Sequence, residues 1–188
     1  MTGVQTCALP ISDAEVRLEG GDEVPAVDGS AAAFCRALAR ARLAGSGRRY
    51  RPPRAVRVAL EDGAAGEIAP VAPGESPRWI VEIDYAAPAV GRQRCALDPT
   101  RDDLVRELAP ARTFALLDEV DALRSRGLAR GGDLGCALVY GPNGPLNPKG
   151  ERLENEPARH KLLDAIGDLS LLGGLPWAHL ELRRPGHR

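Results

Sequence analysis

Residues 154–174, ENEPARHKLLDAIGDLSLLGG, constrain the fold of this chain more than any other stretch. Asn155 is placed to cap a helix, Pro157 suits its first turn, and Gly173–Gly174 closes the far end. At about 100° per residue, Leu162, Leu163, Ile166 and Leu169 fall on one side, and His160, Asp164 and Asp168 form a stripe on the other, bordered by Lys161. Residues four apart on a helix carry Cβ atoms about 5–6 Å from each other, so a His and an Asp at that spacing can share one metal ion. A solvated polar face is the plain alternative. Two features weigh against it. Asp168 lies in the C-terminal half, where the helix dipole disfavours a carboxylate. The segment is also too apolar for a freely exposed helix, so both aspartates are expected in an enclosed setting where they need a cation or donors.

The rest of the chain reads as alternating strands and helices. AEVRLEG, residues 14–20, has the period-two pattern of a half-buried strand. The Asp28-Gly29-Ser30 turn then feeds a helix in which Phe34, Leu38 and the stem of Arg42 recur at helical spacing, closed by Gly45. Two prolines and a local basic run make GSGRRYRPPR, residues 45–54, the best linker, and a solvated connector is the simpler reading of its charge. Beyond it, AVRVALEDGAAGEIAPVAP and RWIVEIDYAAPAV read as strands and DPTRDDLVRELA as a short capped helix. RTFALL, a helix face with Leu116, Val120 and Leu123, the Gly131-Gly132 break and an apolar strand ending at Tyr140 read as a strand, helix, strand insertion. The expected class is α+β: a two-domain sandwich of sheets and helices, the first domain only partly present (12–47), a linker (48–54), and a nearly complete second domain with a βαβ insertion (55–188).

Composition removes several functions. The formal net charge is −1 and the 25 basic side chains are spread along the sequence, so the electrostatic footprint of a nucleic-acid binder is missing. Cys7, Cys35, Cys95 and Cys136 form no Cys-x-x-Cys pair, which argues against a structural zinc site and a disulfide scaffold and fits a reducing cytoplasm. No apolar run approaches the roughly 20 residues of a membrane span. Neither a His-Glu-x-x-His nor a Gly-x-Ser-x-Gly motif is present. Residues 2–11, TGVQTCALPI, resemble the translation of a sequencing-library adapter, so 1–11 are set aside as an artefact.

The strings DGSAAAF, ARTFALLDEVDALRSRGLARGG and RHKLLDAIGDL, in that order and followed by RRPGH, resemble one family: UDP-3-O-acyl-N-acetylglucosamine deacetylase, the zinc amidase of lipid A synthesis. The resemblance implies that His160 and Asp164 are two of three protein ligands to a catalytic Zn2+, whose fourth position is left for water. It implies that Thr113 hydrogen-bonds the oxyanion, that Lys161 lies beside the substrate and helps with charge, that His187 protonates the leaving amine, and that Asp168 holds and tunes His187. Phe114, Leu116, Val120, Leu123 and Leu128 would line the passage for the acyl chain, although an apolar stripe serves core packing equally well. The implied partner is a UDP-sugar bearing an acyl chain, met by a cytoplasmic monomer with no nucleic acid, no transmembrane segment and a transient membrane-surface contact.

One departure matters. The family carries its third zinc ligand, a histidine preceded by a general-base glutamate, in a Ser-Thr-x-Glu-His-Leu motif of the first domain, and no such motif occurs here. The expectation is a fragment shortened at both ends and inactive by itself, prone to aggregate through its exposed first-domain surface. The rival expectation is a non-catalytic module that binds acyl chains or a protein and merely keeps the fold.

Overall fold

The computed structural model describes residues 17, 19, 24–40, 49–120 and 134–186. In chain order these form α1 (Ala32–Arg40), β1 (Arg49–Tyr50), β2 (Val56–Ala59), β3 (Ala65–Pro70), β4 (Trp79–Asp84), β5 (Arg92–Leu97), α2 (Leu104–Leu108), β6 (Phe114–Leu116), β7 (Leu138–Gly141), β8 (Gly144–Pro145), α3 (Glu156–Ser170), β9 (Leu175–Pro176) and β10 (Ala178–Arg183). The class is α+β, as the alternation of patterns predicts.

The main sheet runs in the order β2-β3-β10-β4-β5. Its centre is the last strand of the chain, which lies antiparallel to β3 and parallel to β4. On β4, Trp79, Val81 and Ile83 are buried and alternate with half-buried Ile80 and Glu82, the signature of a strand with one face on a core. Helix α3 lies against β4 and β5 and closes that core with Leu162, Leu163 and Ile166.

The insertion is a three-stranded sheet, β6-β7-β8, in which β6 and β7 are parallel. Parallel neighbours need a crossover, and residues 117–120 begin one as a helix. Leu123 and Leu128 lie outside the described residues, as does the strand expected over 14–20 apart from Arg17 and Glu19.

Two local readings change. The segment expected as a solvated connector forms β1, which pairs in parallel with β9, and its Arg49 and Arg51 stand 4.1 and 5.0 Å over the ring of Trp177. Asn155 does occupy the cap position of α3, but in the left-handed conformation (φ 54°) and without a side-chain capping bond. The tolerance of Asn for that conformation explains its presence there. A carboxylate from the preceding loop takes over the capping: Glu151 accepts the backbone N–H of Glu156 and, at 2.6 Å, the hydroxyl of Tyr140. By contrast α2 is capped as its sequence suggests, Asp103 accepting from the N–H groups of Val105 and Arg106.

The Asp28-Gly29-Ser30 turn approaches the Thr113 segment through one glycine. Gly29 has φ +77° and its carbonyl accepts the Thr113 N–H at 2.7 Å. A Cβ there would stand 2.2 Å from the Cys136 carbonyl oxygen, so only glycine allows the two backbones to approach. Arg152 reinforces the junction by donating to Asp28 at 2.8 Å.

Candidate metal centre

The first three turns of α3 are buried on nearly every side. Glu156, Pro157, Ala158, His160, Leu162, Leu163, Asp164 and Ile166 are all buried, so the polar stripe is enclosed rather than solvated over this stretch. His160 and Asp164 each retain only 7% of their surface. Asp168 departs from expectation: it is exposed. Asp168 lies on the open side of the last turn, whose Leu169 still packs against the core, and beyond the helix Leu171 is 80% exposed.

The tautomer of His160 follows from its partners. Nδ1 stands 3.0 Å from the carbonyl oxygen of Ala111, and a carbonyl can only accept, so Nδ1 carries the proton and donates it. Burial lowers the His160 pKa despite the opposing pull of Asp164, which keeps the ring neutral. Nε2 therefore presents a lone pair, and 3.4 Å in front of it stands Oδ1 of Asp164. Two acceptors facing each other in a buried site are favoured by a cation, and the Lys161 ammonium already stands beside Asp164.

The donor set fits a divalent metal. Two ligand atoms about 2.0–2.2 Å from a tetrahedral zinc stand roughly 3.3–3.5 Å apart, and the Nε2–Oδ1 separation falls in that interval. The other carboxylate oxygen, Oδ2, accepts from Lys161 Nζ at 3.1 Å. Among the described residues no group of three or more His, Cys, Asp or Glu side chains is arranged to hold a metal.

An aromatic cluster lies beside Lys161. Lys161 Nζ lies 6.0 Å from the centre of the Phe114 ring, which meets Tyr85 edge-on at 5.3 Å and Tyr140 at 6.5 Å. Phe114 and Lys161 thus stand near each other beside Asp164. Thr113 is exposed and lies on the same segment, two residues beyond the carbonyl that holds His160. Leu116 is half-buried against the core and Val120 is half-buried, whereas Leu123, Leu128 and His187 lie outside the described residues.

Sequence reasoning misses two groups. Tyr85 shows no motif; only its position at the end of β4, beside Phe114, brings it close. The buried Arg112–Glu156 pair is the larger omission. Glu156 Oε1 accepts from Arg112 Nε at 2.8 Å and from the Arg112 backbone N–H at 2.9 Å, while Oε2 accepts from Arg112 Nη2 and the Arg152 N–H. Arg112 Nη2 also donates to the Gly150 carbonyl at 2.7 Å. Burial pushes the Glu156 carboxyl up, yet the bonds from Arg112 and the two backbone donors outweigh it and hold it below the usual carboxylate range. The one sequence signal was a glutamate in the first turn of an apolar helix.

Comparison with known proteins gives a consistent match. Residues 5–188 match a family model described as UDP-3-O-acyl N-acetylglycosamine deacetylase. A protein of Geobacter sp. (strain M21), described as UDP-3-O-acyl-N-acetylglucosamine deacetylase, is 38% identical over 94% of this chain and 57% of its own length. Relatives with the same description from Campylobacter hominis and Nostoc sp. are 43% and 33% identical, over 81% and 99% of this chain and 51% and 70% of their own lengths. The chain thus spans between half and about two thirds of these relatives.

Proposed function

Since the chain belongs to the UDP-3-O-acyl N-acetylglycosamine deacetylase family, we propose that His160 and Asp164 are ligands of a catalytic zinc in the hydrolysis of the acetamide of UDP-3-O-acyl-N-acetylglucosamine, releasing acetate in lipid A synthesis. One observation carries this reading: the Nε2 lone pair of His160 faces Asp164 Oδ1 at 3.4 Å while its proton is committed to the opposite side. Zinc bound there supplies Lewis acidity toward water and the amide carbonyl.

The remaining chemistry belongs to the side chains. The Thr113 hydroxyl would donate to the oxygen that gains charge as the carbonyl carbon becomes tetrahedral, an interaction that strengthens only in the transition state. Lys161, held beside Asp164, would add positive charge near the substrate. His187 would deliver the proton without which an amine leaves poorly, and Asp168 would hold that imidazole. Phe114, Leu116, Val120 and Leu128 would bound the acyl chain. On this reading the chain works as a monomer in the cytoplasm with a transient contact to the membrane surface; none of its described helices is long and apolar enough to cross a membrane.

The three histidines of the sequence are preceded by Arg159, Ala178 and Gly186, so none forms the Glu-His pair the family uses as base and third ligand. The 188-residue chain by itself is accordingly proposed to bind zinc weakly and not to turn over. Acetate release from the acylated UDP-sugar tests this: the isolated chain should match a zinc-free control, and turnover above that control would contradict the proposed inactivity of the 188-residue chain.

A further inference from the structure

The peptide unit joining Ala111 to Arg112 is gripped from both sides by one helix. Its N–H donates to Glu156 Oε1 at 2.9 Å, and its C=O accepts from His160 Nδ1 at 3.0 Å. Glu156 and His160 are four apart on α3, so they project from the same face one turn apart. A peptide unit is planar, with N–H and C=O pointing in opposite directions across a stiff bond. Fixing the direction of one therefore fixes the direction of the other.

We propose that Glu156, with Arg112, is a positioning residue for His160: the buried carboxylate orients the 111–112 peptide, whose carbonyl selects the Nδ1–H tautomer and aims Nε2 toward Asp164. Glu156 acts through the peptide and touches neither the imidazole nor the reacting atoms. The arrangement exceeds what cohesion needs. Taking a carboxylate and a guanidinium out of water costs several kcal/mol, and an apolar pair of the same shape fills such a space as well. An apolar pair cannot, however, hold an N–H, and it is the N–H of residue 112 that sets the plane. The negative charge on one end of the peptide also polarises it, making the far carbonyl a better acceptor and the imidazole a better donor through Nε2. Arg112 keeps the carboxylate ionised and in register through its fork, and is itself anchored by the Gly150 carbonyl.

Where it invokes a metal, this inference rests on the reading of the site given above, and the test separates the two. The 188-residue chain is compared with Glu156→Gln and with Val81→Ala, a core change under α3 that weakens the fold without touching the network. The tautomer of His160 is read without metal from imidazole 15N shifts, and Co2+ affinity from the visible absorption bands of the bound ion. Glu156→Gln should lose the pure Nδ1–H tautomer and weaken Co2+ binding about 10- to 100-fold, with Val81→Ala leaving both unchanged. If Glu156→Gln does not fold, Arg112→Lys, which keeps a charge but loses the fork, should give a smaller shift in the same direction. An unchanged tautomer in the variant that folds, or an equal change in Val81→Ala, overturns the positioning role. A tautomer that responds to Glu156→Gln in a chain that binds no Co2+ upholds the positioning role and overturns the metal reading.

Discussion

Nε2 of His160 and Oδ1 of Asp164 face each other at 3.4 Å, and the imidazole proton is on the other nitrogen, donated to Ala111. That contact sets an acceptor nitrogen opposite a carboxylate oxygen, an arrangement that a cation between the two makes favourable. The burial of both groups enlarges that effect.

The Arg112–Glu156 pair should behave as a coupled unit. Arg112→Met leaves a buried carboxylate short of its guanidinium and should cost about 3–5 kcal/mol. Glu156→Leu also orphans the N–H groups of Arg112 and Arg152, each worth roughly 1–3 kcal/mol. The double variant should be no less stable than Glu156→Leu alone. Urea unfolding of the four proteins closes the cycle, and strictly additive losses would show the two side chains to be independent.

Acid should act through the same carboxylate. The Glu156 pKa is depressed in the folded chain, so the group contributes stability above its unfolded value of about 4.3, and that contribution is lost as pH falls through the folded value. Urea midpoints of the parent chain should fall on acidification from pH 5 toward pH 2, more steeply than those of Glu156→Gln. Parallel curves for the two proteins would remove Glu156 from the acid response.

Gly29→Ala tests the junction of the N-terminal turn with the Thr113 segment. Positive φ alone costs a non-glycine residue about 1–3 kcal/mol, and the 2.2 Å approach to the Cys136 carbonyl adds to it. Gly74 supplies the comparison, with φ +87° and nothing within 4 Å of an added Cβ. Thermal unfolding should place Gly29→Ala well below Gly74→Ala; equal losses would mean the turn does not pack as described.

The parts legible in the sequence are those written in local patterns. The span of α3, its closing glycines, the Asp103 cap, the alternation in β4 and the parallel strands of the insertion all follow from residues a few positions apart. The approach of His160 to Asp164, four apart on one helix, was legible for the same reason. What spacing could not supply is pairing over distance: Glu156 meets Arg112 across 44 positions, and β10 takes the centre of a sheet between strands laid down about a hundred residues earlier. The enclosure expected for Asp168 failed because apolar composition says that a helix is packed, not which side of its last turn stays open.

Titration of the metal-free chain with Co2+, monitored through the visible bands of the bound ion, tests the central claim most directly. The account predicts saturable one-to-one binding, weakened at least tenfold in both His160→Gln and Asp164→Asn, with both variants still folded by circular dichroism. Binding of the same strength in either variant, or none in the parent chain, would contradict it.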